Sequence, residues 1–166
     1  MSYQEAMDAY SILMHEAKRR LFAIDTALEG KTGLPNGVIC EFCFLELRIL
    51  CELIALGCLT ANGDLMTGKL RETWQADKII RGLEELHPKF YPYTELKEGV
   101  FTKEELVKLW RKCGDVLHRG TFETLWSRLR YADAVEGLEL GRRRSKLCSA
   151  IMQSSWLMAA QLHSSG

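Results

Sequence analysis

The chain has 166 residues, 47% hydrophobic and 27% charged, the make-up of one ordinary globular domain with a hydrophobic core and no low-complexity segment. Its 22 Lys and Arg balance its 22 Asp and Glu, so no global positive field draws it to nucleic acid or anionic lipid, and any such contact would have to come from a local patch. The N-terminus Met1-Ser2-Tyr3-Gln4-Glu5 lacks the basic-then-apolar layout of a secretion signal, so a soluble, cytoplasmic protein is expected.

The first predicted helix runs from about Ser2 to Leu28. Ser2 and Glu5 have capping-box spacing, and Met7, Tyr10, Met14, Ala17, Leu21, Ile24 and Leu28 recur at helical intervals. Residues 29–37 read as a loop from their Gly, Pro and Asn content. A second helix, about Gly37 to Ala61, is apolar on nearly all sides and should sit at the centre of a bundle. Glu41, Glu46, Arg48 and Glu52 interrupt it, which argues against a membrane span.

Six cysteines without a secretion signal point to free thiols. Cys40-x-x-Cys43 invites a zinc reading. On a helix, however, Cys40, Cys51 and Cys58 fall within roughly 20° of one another along five turns, with Cys43 about 60° to one side, alongside Phe44, Leu47 and Ile54. Four zinc ligands must converge on one point, so these cysteines read as small buried hydrophobes, and no metal or other cofactor is expected.

A third helix is predicted over Thr67–His87, with Leu70, Trp74, Ile80, Leu83 and Leu86 toward the core and Pro88 as its stop. Thr102 and Glu105 repeat the capping-box spacing and open a fourth helix through Leu106, Leu109 and Trp110, which Cys113-Gly114 should end. A fifth helix is expected over about Phe122–Leu138. The tail, Lys146–Gln153 and Trp156–Leu162 around Ser154-Ser155, fits a β-hairpin or one short helix, with the hairpin preferred. The fold class is therefore mostly α, a single-domain bundle of four to five helices.

No Gly-rich phosphate loop, HExxH pair or nucleophile elbow is present, and the four histidines share no metal-ligand spacing. Two polar features remain. Glu41, Arg48 and Glu52 lie within about 40° of each other on the second helix, either as a solvated stripe or as a network satisfied at an interface. Arg48 and Glu52, four apart, are spaced to pair. Arg111 and His118, seven apart, would share a face if their helix were continuous. An arginine can hold a phosphate and a histidine can exchange protons near neutral pH, so the two together could cleave RNA through its 2′-hydroxyl. A structural His118, hydrogen-bonded at a helix start, fits the sequence equally.

On the order of its helices, the polar Arg48-Ile49-Leu50-Cys51-Glu52 in an apolar second helix and Arg111-x6-His118, the chain resembles the HEPN superfamily of small α-helical bundles. The segments Cys51–Gly57 and Cys113–Gly120 are also similar to a group of uncharacterised bacterial proteins, a likeness that names no activity. The HEPN resemblance covers about Met1 to Leu138; residues 1–140 are expected to form the bundle, and 141–166, outside the resemblance, an extension packing on it. Many members are metal-independent ribonucleases that dimerise to form one cleft, and others are binding modules without catalysis. It implies Arg111 as the phosphate-holding residue and His118 as the acid/base. The chain departs from the family pattern at Lys112, where Asn, Asp or His is usual, and at Gly114.

Three functions follow as expectations: a dimeric binding or interaction module without catalysis, an endoribonuclease of the toxin or defence kind, and an unrelated structural bundle. Zero net charge favours the first. Arg111 and His118, backed by Lys112 and Arg119 as RNA-phosphate contacts and by the basic run Arg142-Arg143-Arg144, favour the second. The partners expected are a second copy of the chain and an RNA or a protein, with no membrane. All six cysteines should titrate as free thiols under denaturing, non-reducing conditions, and elemental analysis should find no co-purifying zinc.

Overall fold

A computed structural model describes residues 2–63, 67–91 and 102–118. Its elements are α1 (Tyr3–Leu28), α2 (Asn36–Ala61), α3 (Gly68–Arg71), α4 (Ala76–Leu86) and α5 (Lys103–Leu117), a mostly α-helical bundle with no strand among the described residues. No described helix is long and apolar enough to cross a membrane.

The helix starts follow from their caps. Ser2 accepts from the Glu5 amide at 3.2 Å while the Glu5 carboxylate accepts from the Ser2 amide at 2.6 Å, and these bonds lower the Glu5 pKa. Thr102 and Glu105 close the same reciprocal pair at the head of α5. Helix α1 ends as Gly30 turns to φ +71°, a left-handed conformation that favours glycine over residues with a Cβ. The Asn62 side chain caps the tail of α2 on the Cys58 carbonyl.

Helix α2 is the axis of the bundle. Twelve of its residues are buried, against five described in α1, which has the same length. It runs antiparallel to α1, with Tyr10 and Met14 over Gly57 at one end and Arg20 reaching Glu46 further along. It is also antiparallel to α5, since Arg48 lies against Gly114 while Glu52 meets Trp110. Ile79, Ile80 and Leu83 of α4 and Leu106, Leu109 and Cys113 of α5 complete the core. Among the described residues, no helix covers one side of α2, where Val38 is 47% and Leu45 44% exposed.

Two expectations are corrected. The helix predicted over Thr67–His87 is broken at residues 72–75 into α3 and α4, and Trp74 (59%) and Leu86 (47%) are exposed instead of core-facing. The apolar stripe changes phase there. One that continued from Leu70 and Trp74 would next place Asp77, Lys78 and Arg81 inward, whereas the buried residues are Ala76, Ile79, Ile80 and Leu83. The short gap lets α4 restart in the correct rotation, and Thr73 turns its hydroxyl back onto the Lys69 carbonyl. The second correction is that α5 does not stop at Cys113-Gly114 but continues to Leu117. The helix expected over Phe122–Leu138, the tail hairpin and the extension at 141–166 lie outside the described residues.

This burial pattern predicts opposite sensitivities. Leu50→Ala, at a fully buried position on α2, should cost about 2–5 kcal/mol in denaturant unfolding. Trp74→Ala should cost less than about 1 kcal/mol, despite removing the larger side chain.

Candidate functional site

Arg48 and Glu52 project from adjacent turns of α2 and are brought together, with Arg48 Nε 3.5 Å from Glu52 Oε1. Their third partner is Trp110 of α5. Its indole Nε1 donates to Glu52 at 2.8 Å, and the Arg48 guanidinium lies over its ring, 4.5 Å from the centroid. The carboxylate thus orients both a cation and an indole, and the cation gains the face of the ring as well. Glu41, the remaining member of the ridge read from the sequence, is exposed near the start of α2.

Gly114 belongs to this arrangement. A Cβ at that position would collide with Arg48 Nη1, so the absence of a side chain is what lets the guanidinium lie against α5. In the sequence this glycine resembled a helix stop. In the fold it is the gap through which a charged side chain passes.

Because α5 is continuous through Gly114, Arg111 and His118 fall on one side of it. They are roughly 20° apart around the axis and about two turns apart along it. Arg111 is 56% exposed and its guanidinium sits 3.3 Å from Asp77 of α4, whose carboxylate is also 3.8 Å from Arg81. His118 is the C-cap residue, with extended backbone (φ −77°, ψ 121°) and its amide donating to the Gly114 carbonyl at 2.9 Å. Glu52 is occupied by Arg48 and Trp110, and the acid that holds Arg111 is Asp77. Arg119 lies outside the described residues.

Arg111 and Lys112 line a groove of about 620 Å³ between α4 and α5. Ile80 and Val107 give it an apolar floor. Its walls carry five basic residues (Arg81, Lys103, Lys108, Arg111, Lys112) and four acidic ones (Asp77, Glu84, Glu104, Asp115), so the two signs nearly cancel. Lys103 bridges the helices to Glu84, which raises the lysine pKa.

Three contributors escaped the sequence reading. Glu46 is the buried acid of α2, 4% exposed, and accepts from Arg20 of α1 at 3.0 and 3.2 Å, while Glu16 holds the same guanidinium at 2.7 Å. One signal could have flagged it: a carboxylate amid apolar residues must find a cation. Asp77 and Trp110 had no such signal, because their partners are on other helices.

Three of the buried thiols of α2 are chemically quiet. Burial, and the nearby Glu46 carboxylate, push the Cys43 thiol up to about 11. Burial takes Cys58 to about 12 and Cys51 well above its ordinary value. The thiolate is the nucleophile and the metal ligand, so these groups are held in their unreactive form. Among the described residues none of the five cysteines forms a disulfide, and no cluster of three or more His, Cys, Asp or Glu is placed to hold a metal ion.

No family model, curated protein or solved structure matches the chain.

The Arg48–Gly114 contact can be tested by a double-mutant cycle. In an ordinary helix interior Gly→Ala stabilises by about 0.5–1 kcal/mol. In the wild type, Gly114→Ala makes the tip of Arg48 shift, which should offset part or all of that gain. In an Arg48→Ala background the same substitution should stabilise by about 1 kcal/mol.

Proposed function

We propose that the domain is a HEPN-like interaction module that works as a homodimer without catalysis, using the α4–α5 groove to bind a protein segment that carries charges of both signs. The observation that carries this reading is the composition of the groove. A polyanion such as RNA gains affinity from a surplus of cations, and here five basic side chains face four acidic ones. An apolar floor with walls of both signs suits a polypeptide better, since buried apolar contact gives affinity and the charges give register. The engagement of Arg111 by Asp77 supports the same reading, because a phosphate would have to displace a carboxylate already in place. Dimerisation is supported by the exposed apolar side chains Ile12 and Phe22 of α1, a pair that a lone small bundle would be expected to cover.

Metal-independent RNA cleavage is the second reading, favoured by one observation: the continuity of α5 that sets Arg111 and His118 on one side. There His118 would move the proton of the 2′-hydroxyl and Arg111 would hold the phosphorane charge.

Purified protein incubated with mixed-sequence RNA without metal separates the two readings. The binding reading expects intact RNA, a dimer mass by light scattering at micromolar concentration, and a cost below about 1 kcal/mol for Arg111→Ala, an exposed ion-pair residue. Cleavage that falls about a hundredfold or more in both Arg111→Ala and His118→Ala, with melting unchanged, would establish the nuclease instead.

A further inference from the structure

The uncovered side of α2 is patterned. Val38, Phe42, Leu45, Ile49, Glu52 and Leu56 follow one another at intervals of four, three, four, three and four, within about 80° around the helix axis. That alternation is the seam by which one helix packs along another. Helices α1 and α5 flank it, through Arg20–Glu46 on one side and Trp110–Glu52 on the other. Along the seam Val38 and Leu45 are exposed and Phe42, Ile49 and Leu56 only partly buried, so the described helices leave it open.

We propose that the seam is the docking surface for a segment of this same chain, residues 122–135, lying as a helix parallel to α2. Three observations support this occupant. The first is where the chain leaves the described residues. Helix α5 runs antiparallel to α2 and its last turns lie beside Arg48, so the chain passes His118 next to the first half of the seam. The second is direction. Only residues 118–121 separate α5 from Phe122, and a helix that reverses after so short a connection runs antiparallel to α5, hence parallel to α2.

The third is the pattern itself. Phe122, Leu125, Leu129 and Ala132 repeat the spacing of Phe42, Leu45, Ile49 and Glu52 position for position, 80 residues on. In a parallel pair equivalent seam positions face each other. Large apolar residues then meet at the first three levels. The small Ala132 comes opposite Glu52, whose carboxylate is already turned to Trp110 and Arg48. At the next level a charged Glu136 would meet Leu56, and Gly137 follows it, so the match stops there. The docked helix is therefore about four turns long and covers the seam from Phe42 to Glu52. This inference concerns α2 and stands apart from the α4–α5 groove, so either can fail without the other.

Hydrogen–deuterium exchange on the full chain at micromolar concentration tests it. The amides of residues 126–135 should exchange at least about tenfold more slowly than in an unfolded chain. Leu45→Lys should abolish that protection while residues 106–117 keep theirs, and adding Leu125→Glu should restore it. Leu125→Glu alone alters no described helix, so it carries the same test if Leu45→Lys unfolds the bundle. Exchange at the unfolded rate in the wild type would overturn the proposal, as would protection indifferent to both single substitutions. Protection that appears only as protein concentration rises would also overturn it, by placing a second copy on the seam.

Discussion

A helix that is apolar on nearly every side cannot exist alone in water, and α2 is such a helix. Burying one of its leucine or isoleucine side chains contributes about 1.5–3 kcal/mol, so each neighbour that covers a side of it is held there by several such contacts. Helix α1 takes one flank, and α4 and α5 take the opposite one. The α3–α4 break follows from the same demand, since Ile79, Ile80 and Leu83 must face the core while Asp77 and Arg81 face out. The side left open still carries the seam of a helix–helix contact.

The charges on α2 are tolerated because each is answered by a partner in reach. Glu46 is held by Arg20 of α1, and Arg48 and Glu52 are held by each other and by Trp110 of α5. A buried carboxylate without its cation would be severely destabilising, so these pairs also fix the register in which α1 and α5 lie along α2. Gly114 is part of that register. A Cβ there would force the tip of the Arg48 side chain to shift, so the guanidinium's place beside α5 depends on this glycine.

The placement of α5 then decides where chemistry can occur. With Trp110 and Cys113 turned inward, Arg111 and Lys112 face the groove shared with α4, and Asp77 meets Arg111 across it. The described interior offers no competing site. Burial raises the pKa of its Cys43, Cys51 and Cys58 thiols, and its charged groups are satisfied by one another. The described surface carries two features of its own, a groove of nearly balanced charge and the open side of α2.

The sequence by itself determined the local structure. Both capping boxes were legible because their partners are three residues apart, and so were the first two helices and the central position of α2, because helical periodicity is written within a few turns. The Arg48–Glu52 pair was legible for the same reason. Where the sequence reading went wrong, the deciding partner was distant. Gly114 reads as a stop until Arg48, 66 residues earlier, is seen to need its space. Trp74 reads as core until α4 is rotated to suit α2, and a sequence gives no sign of that rotation except a subtle change of phase. Arg111 could be noted for its charge, but that Asp77 would hold it was settled only by packing α4 against α5. Tertiary structure decided these points because burial and electrostatics act through space, between groups that the chain keeps tens of residues apart.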